Sequence, residues 1–314
     1  MKRVLVRGRA CALRLVLPIV LLAASAVLWG VGWQSARDED RALDDEIARH
    51  FGAPFRFLPI EGAEAWAFTP DGGSVVAVSA GGDLSLHDIE GGADPLALAT
   101  PGPVAALAAG RSWIAAAPRG SGALLLFDPA GGEPREFDPG IGRITALAFA
   151  YGGSVLAAGG ESGWVALLDP ATGEVEDRFA AGEGRVLDLA ASGRLLAVLP
   201  SGGPARVYRD ETRLETLEVW PGEGAAEEGA AEEGAAEEGA TSIDLAAGSD
   251  WLAIAAHDRV VIHVLSKPTR LARVLSGFAF ERAPVRFRPG SHELSTSGPG
   301  GRPVLWQLPG DTKP

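Results

Sequence analysis

One phrase recurs along this chain at intervals of 40 to 56 residues, and it limits the possible folds more than any other feature of the sequence. "SVLAAGGESGWVALLDPATGEV", residues 154–175, sets two short apolar runs around a Gly-rich break and ends in an Asp-Pro turn. Related versions are "SVVAVSAGGDLSLHDIEGG" from Ser74, "WIAAAPRGSGALLLFDPAGG" from Trp113 and "RLLAVLPSGGPARVYRDE" from Arg194. Two more, "WLAIAAHDRVVIHVLS" from Trp251 and the weaker "ELSTSGPGGRPVLWQLPG" from Glu293, complete the set. The innermost runs begin near Glu64, Val104, Ile144, Val186, Ser242 and Pro284, at spacings of 40, 40, 42, 56 and 42. A period of this length, with one insertion, marks a supersecondary unit whose copies must stack to bury their faces.

The runs are rich in Ala, the best helix former, yet they last only six or seven residues between Gly and Pro breaks, so they read as strands. In the third unit the order is "ITALAFA", "SVLAAGG", "WVALLDP" and "VEDRFA". Four antiparallel strands of that length form a twisted meander, and radial stacking of meanders closes their edges into a β-propeller. Small residues such as "AAA" and "IAA" suit inner strands that converge on an axis.

"AWAFTPDGGSVVAVSAGGDLSLHDIEGG", residues 65–92, runs from an apolar strand through a Pro-Asp-Gly turn and a small-residue strand to a third strand ending in His-Asp. That order resembles the WD40-type propeller repeat. Over about residues 55–310 the resemblance implies the architecture, and it carries almost nothing about activity. It places Asp88, Asp128, Asp169 and Asp210 at the family's terminal Asp, and Trp306 at its aromatic position with Gln307 in place of the Asp. The Gly-His pair that usually opens such repeats is missing throughout.

The chain ends decide the blade count. The last unit has strands near Pro284, Glu293 and Pro303 and is one strand short, while "FRFLPI" at Phe55–Ile60 is one strand without a unit. Pairing them predicts an all-β propeller of six four-stranded blades closed by an N-terminal strand, with seven blades as the alternative.

Ahead of the repeats, residues 1–14 are basic, with Lys2, Arg3, Arg7, Arg9 and Arg14, and residues 15–33, "LVLPIVLLAASAVLWGVGW", are free of charge. Nineteen residues at about 1.5 Å each approach a bilayer core of roughly 30 Å, so the segment is expected to be a signal-anchor helix. The positive-inside bias puts the N-terminus in the cytoplasm and the body in the periplasm or outside the cell. Cleavage after Ala26 in "ASA" is the competing reading and exports the body equally. The only cysteine, Cys11, precedes the apolar run and reads as a cytoplasmic thiol. With one cysteine the chain makes no internal disulfide and no Cys-based metal cluster.

Residues 34–54 read as an acidic helical stalk, residues 55–310 as the propeller and 311–314 as a tail. Between the fourth and fifth units lies "GEGAAEEGAAEEGAAEEGA", residues 222–240, whose five-residue period fits neither helix nor strand. It reads as an acidic disordered loop, with a strip for a basic partner or cations as the sharper alternative. Five of the 28 Lys and Arg residues precede Gln34 and none of the 41 acids does, so the remainder sets 23 cations against 41 acids. Such a body repels phosphate backbones, which argues against a nucleic-acid partner.

The search for reactive chemistry returns little. HExxH, a Walker GxxxxGK[ST] and a GxSxG elbow are all missing, and lysine occurs only at positions 2, 267 and 313. The chain has no Asn, an amide that propeller lactonases, as a family, use with Glu and Asp around a calcium. His50, His87, His257, His263 and His292 are scattered; His257 and His263 are expected to pair across strands instead of binding a metal. The repeated aspartates read as turn caps. Trp66, Trp113, Trp164, Trp251 and Trp306 read as fillers between blades, with a stacking platform for a sugar or quinone as the alternative. No catalytic, cofactor-binding or metal-binding residue is assigned and no cofactor is implied. The expected function is a membrane-anchored, non-catalytic scaffold that binds an unidentified protein through one propeller rim. The alternatives are an exported quinoprotein or lactonase-like enzyme, or an assembly factor for envelope proteins.

Overall fold

Short apolar runs with β-branched, Ala and Leu residues cannot close a helix of useful length, and in the computed structural model they pair as strands. The structure describes residues 56–90, 92–129, 131–209, 217–219, 240–256, 259–265, 271–276, 284–297 and 303–308, all within the unit Pro54–Pro314. A single strand, β1 (Arg56–Phe57), comes first. Blade 1 follows with β2 (Ala63–Phe68), β3 (Ser74–Ser79), β4 (Leu84–Asp88) and β5 (Leu96–Leu98). Blade 2 holds β6 (Val104–Ala109), β7 (Ile114–Pro118), β8 (Leu124–Phe127) and β9 (Arg135–Phe137). Blade 3 holds β10 (Ile144–Ala150), β11 (Val155–Gly160), β12 (Trp164–Leu168) and β13 (Val175–Ala180). Blade 4 holds β14 (Glu183–Ser192), β15 (Leu195–Gly202), β16 (Ala205–Arg209) and β17 (Leu217–Val219). Blade 5 holds β18 (Ser242–Leu245), β19 (Trp251–Ala255), β20 (Arg259–Val264) and β21 (Leu271–Ser276). Blade 6 has β22 (Arg286–Arg288), β23 (Glu293–Ser297) and β24 (Pro303–Gln307), and β1 is its fourth strand.

Every sheet is an antiparallel meander of four strands, so the ring has six blades and the seven-bladed alternative falls. Closure is by Arg56 opposite Leu305 and Phe57 opposite Val304, with the Leu58 N–H donating to the Pro303 carbonyl at 2.9 Å. Between blades the core is built from small and branched side chains. Ala115, Ala117, Leu124, Leu156, Ala158 and Ala166 join blades 2 and 3 at 0% exposure.

The recurring Gly-rich break has a packing cause. It turns the second strand of a blade into the third, beside the entry to the next blade's inner strand. A Cβ on Gly82 of blade 1 would lie 2.6 Å from Pro103 Cα, and one on Gly163 of blade 3 would lie 2.6 Å from the Gly182 carbonyl oxygen. In the same places Val104 N–H donates to the Gly82 carbonyl and Ala181 N–H to the Gly163 carbonyl. Gly82 and Gly163 also have φ of 87° and 80°, a conformation that favours glycine.

Register fixes the equivalent positions of the blades. Val75, Ile114, Leu156, Leu196, Leu252 and Leu294 on the second strands are at most 1% exposed. Across the third strands they face His87, Phe127, Leu168, Tyr208, His263 and Trp306. The next residues are Asp88, Asp128, Asp169, Arg209, Val264 and Gln307, so Arg209 and not Asp210 occupies the terminal-Asp position in blade 4; Asp210 itself lies outside the described residues. Asp88 and Asp169 act as turn caps: Asp88 accepts from the Glu90 and Gly92 N–H groups at 3.1 and 3.0 Å, and Asp169 from Ala171 at 2.7 Å.

Trp66 fills an interblade gap as expected, 1% exposed, its Nε1 donating to Ser295 Oγ of blade 6 at 2.8 Å. Trp306 is buried and bonds Thr296 within its own blade, and Trp113 packs partly buried under the Arg135 guanidinium. Trp164 departs from the expectation. It is 45% exposed because it opens β12 at the sheet end, opposite the exposed Ala180. Residues 1–55, the stalk among them, and most of the acidic insert lie outside the described residues, as do His50 and His257. Among the described residues no helix is long and apolar enough to cross a membrane.

Candidate functional site

The inner strands β2, β6, β10, β14, β18 and β22 line the axis, and at their C-terminal ends the channel opens into a cavity of about 280 Å³. Phe68, Ala109, Phe149, Ala191, Leu245 and Phe287 occupy one equivalent position around this mouth. One residue deeper the ring reads Ala67, Ala108, Ala148, Ala190, Asp244 and Arg286. Four blades therefore present alanine at the level where blades 5 and 6 present a carboxylate and a guanidinium. Two residues deeper still, blades 1 to 3 have Ala65, Ala106 and Ala146, and blades 4 and 5 have Asp188 and Ser242.

The polar residues form one bonded network across three blades. Arg286 Nη1 and Nη2 donate to the two carboxylate oxygens of Asp188 at 2.9 and 3.1 Å. Asp188 Oδ2 also accepts from Ser242 Oγ at 2.6 Å and from the Ile243 N–H at 3.0 Å. Ser242 Oγ in turn accepts from the Val285 N–H at 3.1 Å. Asp244 repeats the device one blade on, accepting the Phe287 N–H at 2.6 Å. The inner edge of a propeller blade has N–H groups with no strand to pair with, and these aspartates satisfy two of them. A bonded buried pair of this kind adds little stability over well-packed apolar residues, but losing one partner strands the other. The network therefore specifies how blades 4, 5 and 6 dock.

Burial pushes the Asp244 carboxyl up to about 7, against the Arg286 charge and the Phe287 N–H, which pull it down. Asp244 reaches water only through the mouth, where it is partly exposed. The rim above carries Arg111 of blade 2 and the turn Tyr151–Gly153 of blade 3. Tyr151, at φ 52°, is the one non-glycine with positive φ among the described residues.

The described histidines, His87, His263 and His292, lie in three different blades, and the expected pairing of His263 with His257 falls outside the described residues. His87 bonds Ser85 Oγ through Nε2 at 2.8 Å, and burial holds its imidazole below the ordinary value. His263 is 3% exposed on β20, opposite Leu252 and Leu271, and both ring nitrogens are buried without a hydrogen-bond partner. Burial lowers its pKa as well. Among the described residues no group of three or more His, Cys, Asp and Glu is placed to hold a metal. Sequence reasoning missed Asp188, Ser242, Asp244 and Arg286. The one signal in the sequence was their residue type: acids and an arginine on inner runs whose equivalents elsewhere are alanine.

No family model matches the chain, and no curated protein matches it. Among solved structures it is similar to the β-propeller domain of Cps50 (Swd1) from Myceliophteria thermophila, at 15% identity and a TM-score of 0.60, over 81% of this chain and 99% of that one. It is similar also to U3-55K, at 15% identity and a TM-score of 0.61, over 82% of this chain and 99% of the other. At that identity the likeness carries the fold.

Proposed function

We propose that this chain is a WD40-like propeller serving as a non-catalytic protein-binding platform, held at the cytoplasmic membrane by residues 15–33 with the propeller outside the cytoplasm. The partner is a protein that docks over the channel mouth. One observation carries this reading: the deeper charged side chains at the mouth, Asp244 and Arg286, are bonded into the wall that joins blades. A catalytic rim needs a base, a nucleophile or a metal converging on a reacting atom, whereas these groups hold the ring together and leave a rigid collar with variable turns around it. The charge-free run and the basic residues before it support the membrane placement.

Site-specific photocrosslinking in intact cells tests both halves. A photoreactive residue at Arg111 is expected to capture a discrete protein band, and one at Glu176 on the outer strand β13 is not. External protease should reach the propeller in spheroplasts, and the N-terminus should stay protected. Equal labelling at the two positions, or turnover of lactone, ester or sugar substrates by the full chain, would sink the platform reading.

A further inference from the structure

The channel mouth has a charge balance that its wall does not settle. Three charged residues line it: Arg111, Asp244 and Arg286. The Arg286 guanidinium is matched by the bidentate Asp188 carboxylate, so that pair is neutral. Arg111 is exposed on the blade 2 turn, and in a six-bladed ring blade 2 lies diametrically across from blade 5. What is left inside the channel is the Asp244 carboxylate, which accepts the Phe287 N–H at 2.6 Å and a backbone N–H from Leu245 and still has lone pairs to spare.

Around it the accessible lining is about evenly polar and apolar, and of its rings Phe149 is partly exposed whereas Phe68 and Phe287 are buried. The Phe149 ring near a cation adds attraction through its quadrupole. A volume of about 280 Å³ lies at the lower end of ligand pockets, which run from roughly 300 to 1,000 Å³, and has room for one long side chain.

We infer that the mouth accepts a single cationic side chain, lysine or arginine, from an extended segment of the docked protein, with Asp244 as its counter-charge. The inference rests on the proposed platform and names what its site recognises. A cation beside Asp244 favours the ionised carboxylate, so binding expels the carboxyl proton to solvent, and the complex forms more readily as pH rises. The facing charges, Arg286 and Asp188, remain paired throughout. With the free carboxyl titrating at about 7, affinity should rise about tenfold between pH 6 and pH 8.

The test uses the full chain in detergent and four probes: the Nα-acetyl methylamides of lysine, arginine, norleucine and glutamate, measured by calorimetry. At least one cationic probe should bind at millimolar concentration and pH 8 about tenfold more tightly than norleucine. It should weaken about tenfold at pH 6, and Asp244→Asn should bring it to the norleucine level. The pH series on the unmodified chain keeps the test valid if D244N folds poorly. Equal binding of norleucine would make the mouth a plain apolar pocket, preference for glutamate would assign it to Arg111, and binding without pH dependence or no binding at all would remove Asp244; each overturns the inference. A partner crosslinked at Arg111 without cationic-probe binding overturns the inference alone. Cationic-probe binding without any crosslinked partner overturns the platform alone.

Discussion

Blades 1 to 3 and blades 4 to 6 solve the same packing problem by different means. Around the first arc the axis is lined with Ala65, Ala67, Ala106, Ala108, Ala146 and Ala148, and neighbouring blades approach through small side chains and glycine turns. Around the second, Asp188, Ser242, Asp244 and Arg286 link blade 4 to 5 and 5 to 6 through hydrogen bonds and one ion pair. Close packing of alanine tolerates any similar neighbour, whereas a bonded network accepts one partner in one geometry. The network lies where the 19-residue insert enters, between blades 4 and 5. Directional bonds there hold a joint that a long excursion of the chain would otherwise leave to weak shape matching.

The largest effect should come from the network. Asp188→Ala leaves the Arg286 guanidinium without its carboxylate and strips the Ile243 N–H and Ser242 hydroxyl of an acceptor, so chemical denaturation should show a loss of about 3–5 kcal/mol. A loss under about 1 kcal/mol would mean that the second arc also depends on packing alone.

In the first arc the sensitive atom is a missing Cβ. Gly82→Ala drives a methyl into the Pro103 backbone at φ 87°, and strain and overpacking together should cost about 2–4 kcal/mol by the same measurement. Neutrality would show that blades 1 and 2 slide to make room.

The contrast was unevenly legible in the sequence. The forty-residue period, the four strands of each blade and the closing strand at Arg56–Phe57 follow from alternating apolar runs and Gly-Pro breaks, which are local signals. Trp66 as an interblade filler was legible for the same reason. The network was not, because Asp188 and Arg286 are 98 residues apart and meet only when six meanders have closed. The acid on the inner run at Asp188 is a local signal, but nothing local names its partner, and the misplacement of the terminal acid at Asp210, one residue past Arg209, shows how far register exceeds motif spacing.

Two pH slopes of opposite sign sharpen the comparison within blade 5. Asp244 has its folded value raised above 3.8 to about 7, so its stabilising contribution is complete below 3.8 and is lost as pH rises through 7. Wild-type stability should therefore fall by about 2 kcal/mol relative to Asp244→Asn between pH 5 and 7. Parallel curves would place the carboxyl in an ordinary aqueous environment.

His263 works the other way. Its folded value is depressed by burial, so the unfolded chain takes the proton first and stability drops as pH falls below 6.5. His263→Phe puts an aromatic where blades 2, 4 and 6 have Phe127, Tyr208 and Trp306, and removes two unpartnered nitrogens. A gain of about 1 kcal/mol at pH 7 and a flatter acid limb in thermal melts are expected. A net loss would mean that the imidazole has a role in packing that a benzene ring cannot fill.

The closing strand has a mechanical consequence. Traction applied to residue 55 enters the ring at β1, which grips blade 6 through two residue pairs, the bond from Leu58 to Pro303 and the burial of Leu58 against Leu305. Every other blade is tethered through longer ladders. Under load the seam between β1 and β24 is the fuse of the molecule, and it parts before any blade is stretched.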